Sequence, residues 1–138
     1  KIRENILSKL NISLSIRISL LFNILPKLNL TAFAVYRPPK NKCSEFLLEF
    51  DKLLEQQKKP CMVIGDINLD LLKNSSSISE YKIIVQMNGF QFQNKINIQN
   101  ATRTANNSAS VLDHVITNKN IQCDINLEDH TISDHKII

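Results

Sequence analysis

The strongest constraint on this chain is a period of two. In "NISLSIRISLLF", Ile12, Leu14, Ile16, Ile18 and Leu20 fall on one side, with Ser13, Ser15, Arg17 and Ser19 opposite. That alternation predicts a half-buried β-strand. The turn around "NILPKLN" leads to a second strand over 28–36, and the two pair as an antiparallel hairpin. Pro38 and Pro39 in "YRPPKNK" cannot donate to a ladder, so the sheet stops there.

The period then changes. Cys43, Phe46, Leu47, Phe50, Leu53 and Leu54 recur at helical spacing, so "SEFLLEFDKLLEQQ" is an amphipathic helix. Beyond Pro60, "CMVIG" reads as a short, fully buried strand that runs out at Gly65 into the polar "DINLD". "NSSS" is a linker or helix cap, and 78–88 is a second helical pattern stopped by Gly89. "FQFQNKINI" is a weak strand, "QNATRTANNSAS" a polar loop and "VLDHVITN" another strand. "IQCDINL" alternates loosely, and "SDHKII" begins one more strand. Helices interleaved with strands predict an α/β arrangement in which helices cover a mixed sheet.

At 138 residues, with 43% hydrophobic and 22% charged residues, one core is affordable. The net charge of +4 is compatible with a polyanionic partner without demanding one. Cys43, Cys61 and Cys123 are odd in number and lack metal-ligand spacing, which predicts reduced thiols in an intracellular protein. No stretch is long and apolar enough to span a membrane: "SLLFNILPKLNL" is broken by Asn23, Pro26 and Lys27. A first residue other than Met, and an end at Ile137-Ile138 inside a strand pattern, give the expectation of a piece of a longer reading frame.

Several polar residues sit where strands run out. In "MVIGDINLD", Asp66 suits a hard cation or a water, and Asn68 suits a phosphate oxygen or the same water; a plain turn explains the same letters. Every histidine follows an aspartate: Asp113-His114, Asp129-His130 and Asp134-His135. Neighbours in a strand face opposite ways, so Asp134 and His135 do not serve one atom. His135 finds a better partner in a carboxylate from another segment, with Asp113 the candidate, which leaves Asp134 for metal. His114, inside an apolar pattern, reads as a surface or core filler, and Asp129-His130 as charged loop. Tyr36 is either a donor to a phosphate oxygen or an edge aromatic. Arg37 is either a phosphate contact or a solvated charge, and Thr102 and Arg103 are candidates to meet a nucleic-acid backbone.

In order, "AVYRPP", a helix, "MVIGDINLD", a helix ending "GF", "ATR…S.LDHVITN" and "ISDHKII" resemble the endonuclease/exonuclease/phosphatase superfamily. More narrowly, they resemble the apurinic-type endonuclease domain of non-LTR retrotransposons, from about Ile12 to the end. That resemblance implies part of a four-layer α/β sandwich with mixed, largely antiparallel sheets. It implies DNA as substrate, Mg²⁺ (or Mn²⁺) as cofactor, a downstream reverse transcriptase as partner, and nuclear action. By the same resemblance Tyr36 contacts the scissile phosphate, while Asp66 and Asn68 orient the attacking water and stabilise the phosphate. Asp113 holds His135, which acts as general base or stabilises the pentacovalent phosphate, and Asp134 lies near the metal.

In that family an asparagine and the main metal-binding glutamate come from strands ahead of the hairpin. Glu4 lies in the wrong context for that glutamate, so the expectation is a single incomplete domain over 1–138 that is inactive by itself. A cellular phosphatase or phosphodiesterase of the same superfamily, and a non-catalytic nucleic-acid-binding fragment, are the alternatives. "YRPP" and "S.LDHVITN" favour the retroelement branch.

Overall fold

The computed structural model describes residues 17–21, 30–105, 108–129 and 132–138. The hairpin is present as β1 (Arg17–Leu21) and β2 (Thr31–Tyr36), antiparallel with Leu20 opposite Phe33. The alternation over 12–16, the turn after β1 and His130 lie outside the described residues. The first helix, α1 (Cys43–Glu55), carries the chain across the sheet to β3 (Cys61–Asp66), which joins β2 in parallel. A second helix, α2 (Ser76–Met87), returns it to β4 (Phe90–Phe92). A small hairpin of β5 (Arg103–Ala105) and β6 (Ser108–Ser110) precedes β7 (Asp113–Asn118). The main sheet has the order β1-β2-β3-β7-β4, antiparallel except at β2–β3.

Register explains where the core lies. Phe33 is opposite Val63, Val63 opposite Ile116 and Ile116 opposite Phe92, so these four share one face. Both helices cover that face. From α1 come Phe46, Leu47, Phe50, Leu53 and Leu54, and from α2 come Ile78, Tyr81 and Val85, all buried in one cluster. Phe46 stacks on Phe50 at 5.2 Å between centroids, and Tyr81 meets Phe50 at 5.6 Å. Each such side chain contributes ~1.5–3 kcal/mol through the area it removes from water.

The helix ends follow local chemistry. Ser75 Oγ accepts the Ile78 N–H at 3.3 Å and starts α2. Gly89, at φ +73°, stops it in the left-handed region. At the far end of the sheet, Asn118 Oδ1 accepts the Cys61 N–H at 2.7 Å, and its amide donates to the carbonyls of Gln57 and Lys59. One side chain thereby fixes where β3 begins.

Four expectations need correction. "CMVIG" is buried on one side only: Cys61 and Val63 are covered by the helices, whereas Met62 and Ile64 are half-buried. "QNATRTANNSAS" is not all loop, since it contains the β5–β6 hairpin. "FQFQNKINI" is a strand only over β4; past it the Gln93 N–H donates to the Val115 carbonyl at 2.9 Å, and Asn94 Oδ1 accepts the Val115 N–H at 2.7 Å. Finally, "SDHKII" forms no strand among the described residues. It makes single bridges instead, His135 with Arg103 and Ile137 with Glu128.

Candidate active site

On the sheet face away from the helices, Tyr36, Asp66 and Asp113 lie at one end. Val35 lies in the helix-covered core, so Tyr36, the next residue, emerges on the other side, 38% exposed. Asp66 pairs in register with Asp113, one step beyond the Gly65–His114 pair. His114 packs against Tyr81 on the helix side, so both aspartates face the opposite way. Continued beyond its last registered pair, the parallel ladder of β2 and β3 brings Tyr36 level with Asp66.

Asp66 follows a glycine that nothing else can replace. Gly65 has φ +153°, and a Cβ there would fall 1.8 Å from the Val35 carbonyl oxygen. Asp66 Oδ1 accepts the Asn68 N–H at 3.1 Å, an Asx-turn that places Asn68 at φ +54°. The Asn68 amide donates to the Arg37 carbonyl at 2.9 Å. Burial pushes the Asp66 carboxyl above its ordinary range, and the nearby Asp113 pushes it further. The Asn68 bonds and His135 oppose that rise without cancelling it.

Asp113 and His135 arrive from segments that one buried threonine holds together. Thr102 Oγ1 accepts the N–H of Leu112 and of Asp113, each at 3.0 Å, and the Thr102 carbonyl accepts the Lys136 N–H at 2.7 Å. His135 Nδ1 then lies 2.8 Å from Asp113 Oδ2. An ionised carboxylate only accepts, so Nδ1 is the nitrogen that donates in this pair. The cross-segment pairing expected of these two residues is thus present. Ligand atoms of Asp66, Asp113 and His135 all lie within 4.8 Å of one another, a group that could hold a metal ion.

Asp134 is not part of that group. Its Oδ2 takes the Arg103 Nε–H at 2.7 Å, and this bond holds its carboxyl below the usual range. His135 reaches Asp113 while the residue before it reaches Arg103, so the two neighbours serve different partners. Thr102, expected as a backbone contact for nucleic acid, is fully buried. Arg37 is neither a solvated charge nor exposed to a phosphate; it is 5% exposed and its guanidinium bonds to carbonyl oxygens. Nothing in the local sequence shows that Thr102 and Arg37 turn inward. His114 is a core filler as expected: it accepts from the Tyr81 hydroxyl at 3.0 Å and donates from Nε2 to the Val111 carbonyl at 3.1 Å.

A family model described as endonuclease-reverse transcriptase matches residues 30–138, which includes every one of these groups. The chain belongs to that family. Among solved structures, the endonuclease domain of TRAS1, a telomere-specific non-LTR retrotransposon, superposes with a TM-score of 0.64 at 13% identity. The match covers 88% of this chain and 64% of that one, so this member of the family spans less than two thirds of the TRAS1 domain's length. CdtB, the biologically active subunit of Cytolethal Distending Toxin, matches more distantly, with a TM-score of 0.45 at 11% identity over 87% of this chain and 54% of that one. No curated protein matches the sequence. The fold is therefore that of an endonuclease domain, mixed α/β with a largely antiparallel sheet.

Proposed function

We propose that this chain is the C-terminal part of a Mg²⁺-dependent endonuclease domain that nicks DNA to prime a linked reverse transcriptase, acting in the nucleus. The observation that carries this reading is the convergence of Asp66, Asp113 and His135 from three separate segments onto one rim of the sheet. An adventitious surface cluster would not need a glycine at close approach, an Asx-turn and a buried threonine to assemble it.

The donor set fits a divalent cation in part. Two carboxylates suit a hard ion such as Mg²⁺, and an imidazole nitrogen is a donor that Mn²⁺ accepts more readily. Asp66 is the residue best placed to hold the ion, because Asp113 is engaged by His135 and Asp134 by Arg103. When bound, the metal supplies charge to offset the developing oxyanion.

The other steps belong to the side chains. Asp113 fixes the imidazole with Nε2 free, so His135 takes a proton from water at that atom or, once protonated, donates to a phosphate oxygen. Asn68, held at the turn, supplies an amide beside Asp66. The Tyr36 hydroxyl, exposed on the same rim, donates to the phosphate.

We further propose that the 138 residues do not nick DNA unaided. Mg²⁺ favours six oxygen ligands, and the resemblance assigns the principal carboxylate to strands ahead of the hairpin. Supercoiled-plasmid nicking should be absent with the 138-residue chain and present with the longer reading frame. There His135→Ala should cost about 10² or more in rate, the usual worth of a positioned proton-transfer group. Mg²⁺-dependent nicking by the 138 residues that disappears in His135→Ala would refute the second proposal; a longer protein indifferent to His135→Ala would sink the first.

A further inference from the structure

Arg37 is a buried cation whose partners, among the described residues, include no carboxylate. Its backbone N–H donates to the Asp66 carbonyl at 2.9 Å. Its Nε donates to the Ile67 carbonyl at 2.7 Å, and Nη2 to the Asn68 carbonyl at 2.8 Å. Three consecutive carbonyl oxygens, 66 to 68, are thus taken by one residue. The remaining donor, Nη1, reaches the Asn41 carbonyl at 3.1 Å in the turn after the two prolines. The Asn68 side chain closes the ring by donating back to the Arg37 carbonyl. The guanidinium lies over the Phe46 ring, 5.7 Å from its centroid, which shields it from water.

Burying a guanidinium without a counter-ion is costly, and only a full set of well-aimed acceptors offsets the cost. Here the acceptors are the carbonyls of the very loop that presents Asp66. Beyond Asp66, the last residue of β3, the chain has left both ladder and helix and holds Asn68 at a positive φ, so the carbonyls of Ile67 and Asn68 have no regular partners. A planar fork can take two adjacent carbonyls at once, whereas an ammonium on a flexible stem cannot hold them in one geometry.

We propose that Arg37 is the positioning residue of the 66–68 loop. It sets the Asx-turn in which the Asn68 N–H meets Asp66 Oδ1, and so aims the Asp66 carboxylate at Asp113 and His135. The inference deepens the proposed function and rests on Asp66 belonging to the site. It also accounts for "YRPP" as a unit: the tyrosine faces the rim, the arginine turns inward and the prolines end the strand.

Amide hydrogen exchange in the ¹⁵N-labelled 138-residue chain tests the proposal without DNA or metal. Arg37→Lys keeps the charge and loses the fork. Its Asn68 amide should lose protection by about tenfold or more, while amides inside α2 remain within about twofold of the parent protein. Unchanged protection at Asn68, or an equal loss throughout the chain, overturns a positioning role.

Should Arg37→Lys fail to fold, the parent protein provides the second measurement. The Arg37 Nε–H should show the same protection factor as the Asn68 N–H, each taken against its own intrinsic exchange rate, because one opening frees both. A loop that opens while Arg37 Nε–H stays protected overturns the proposal. A loop dependent on Arg37, together with a longer reading frame that cleaves no DNA, would leave this inference standing and remove the nuclease reading.

Discussion

At Gly65 there is room for a hydrogen atom and nothing larger. A Cβ would sit 1.8 Å from the Val35 carbonyl oxygen and 2.8 Å from its carbon, so Gly65→Ala must push β2 away from β3. The expected cost is about 4 kcal/mol or more, at the upper end for single substitutions, read as a lowered urea midpoint. His114 supports a prediction of a different kind. Burial lowers its pKa from 6.5 to about 4, so the folded protein refuses a proton that the unfolded chain accepts. The neutral form's advantage is fully present above 6.5 and is lost as the pH falls toward 4; below that both states are protonated and the loss stops. Stability should fall by ~1.4 kcal/mol per pH unit across that window, beyond what other groups contribute. Urea melts at pH 7.0, 5.5 and 4.5 measure the slope, and His114→Phe should flatten it. Neither residue's role follows from its letter. "LDH" offers two titratable neighbours, and the direction of each from the sheet sets Asp113 on the rim opposite Asp66 and His114 in the core.

Among the elements, the helices were the most legible and the short strands the least. Phe46, Leu47, Phe50, Leu53 and Leu54 give α1 away because helical spacing is written in consecutive residues, and every one of them is buried. For α2 the cap is equally local. Ser75→Ala removes the oxygen that accepts the Ile78 N–H and should cost ~1 kcal/mol, whereas Ser75→Asp keeps an acceptor and should retain most of the stability. Thermal unfolding followed by circular dichroism separates the two. The β5–β6 hairpin has the sequence of a loop, because Thr, Ser and Ala carry no apolar alternation. It forms through backbone pairing anchored by Thr102, whose own N–H donates to the Ser110 carbonyl at 3.0 Å. "SDHKII" fails in the opposite sense. Its pattern suits a strand, yet its backbone finds only isolated partners at Arg103 and Glu128 among the described residues.

For the whole molecule, topology decides more than pattern. The order β1-β2-β3-β7-β4 sets the ends of β2 and β3, and the start of β7, side by side, so residues 36, 66 and 113 meet although the chain separates them widely. His135 joins them from a segment with no regular structure, tied in through Lys136 and Thr102. By itself, the sequence determined the alternation of the hairpin, the two amphipathic helices, the sheet break at the prolines, and the residue types able to serve a phosphodiester. Those properties depend on neighbours within a few positions. Only the tertiary structure decided that Asp134 pairs with Arg103, that Thr102 ties the His135 segment to the start of β7, and that Arg37 is turned inward beneath the Asp66 loop. Those outcomes depend on register and on hydrogen bonds between side chains and distant carbonyls, which no local period records.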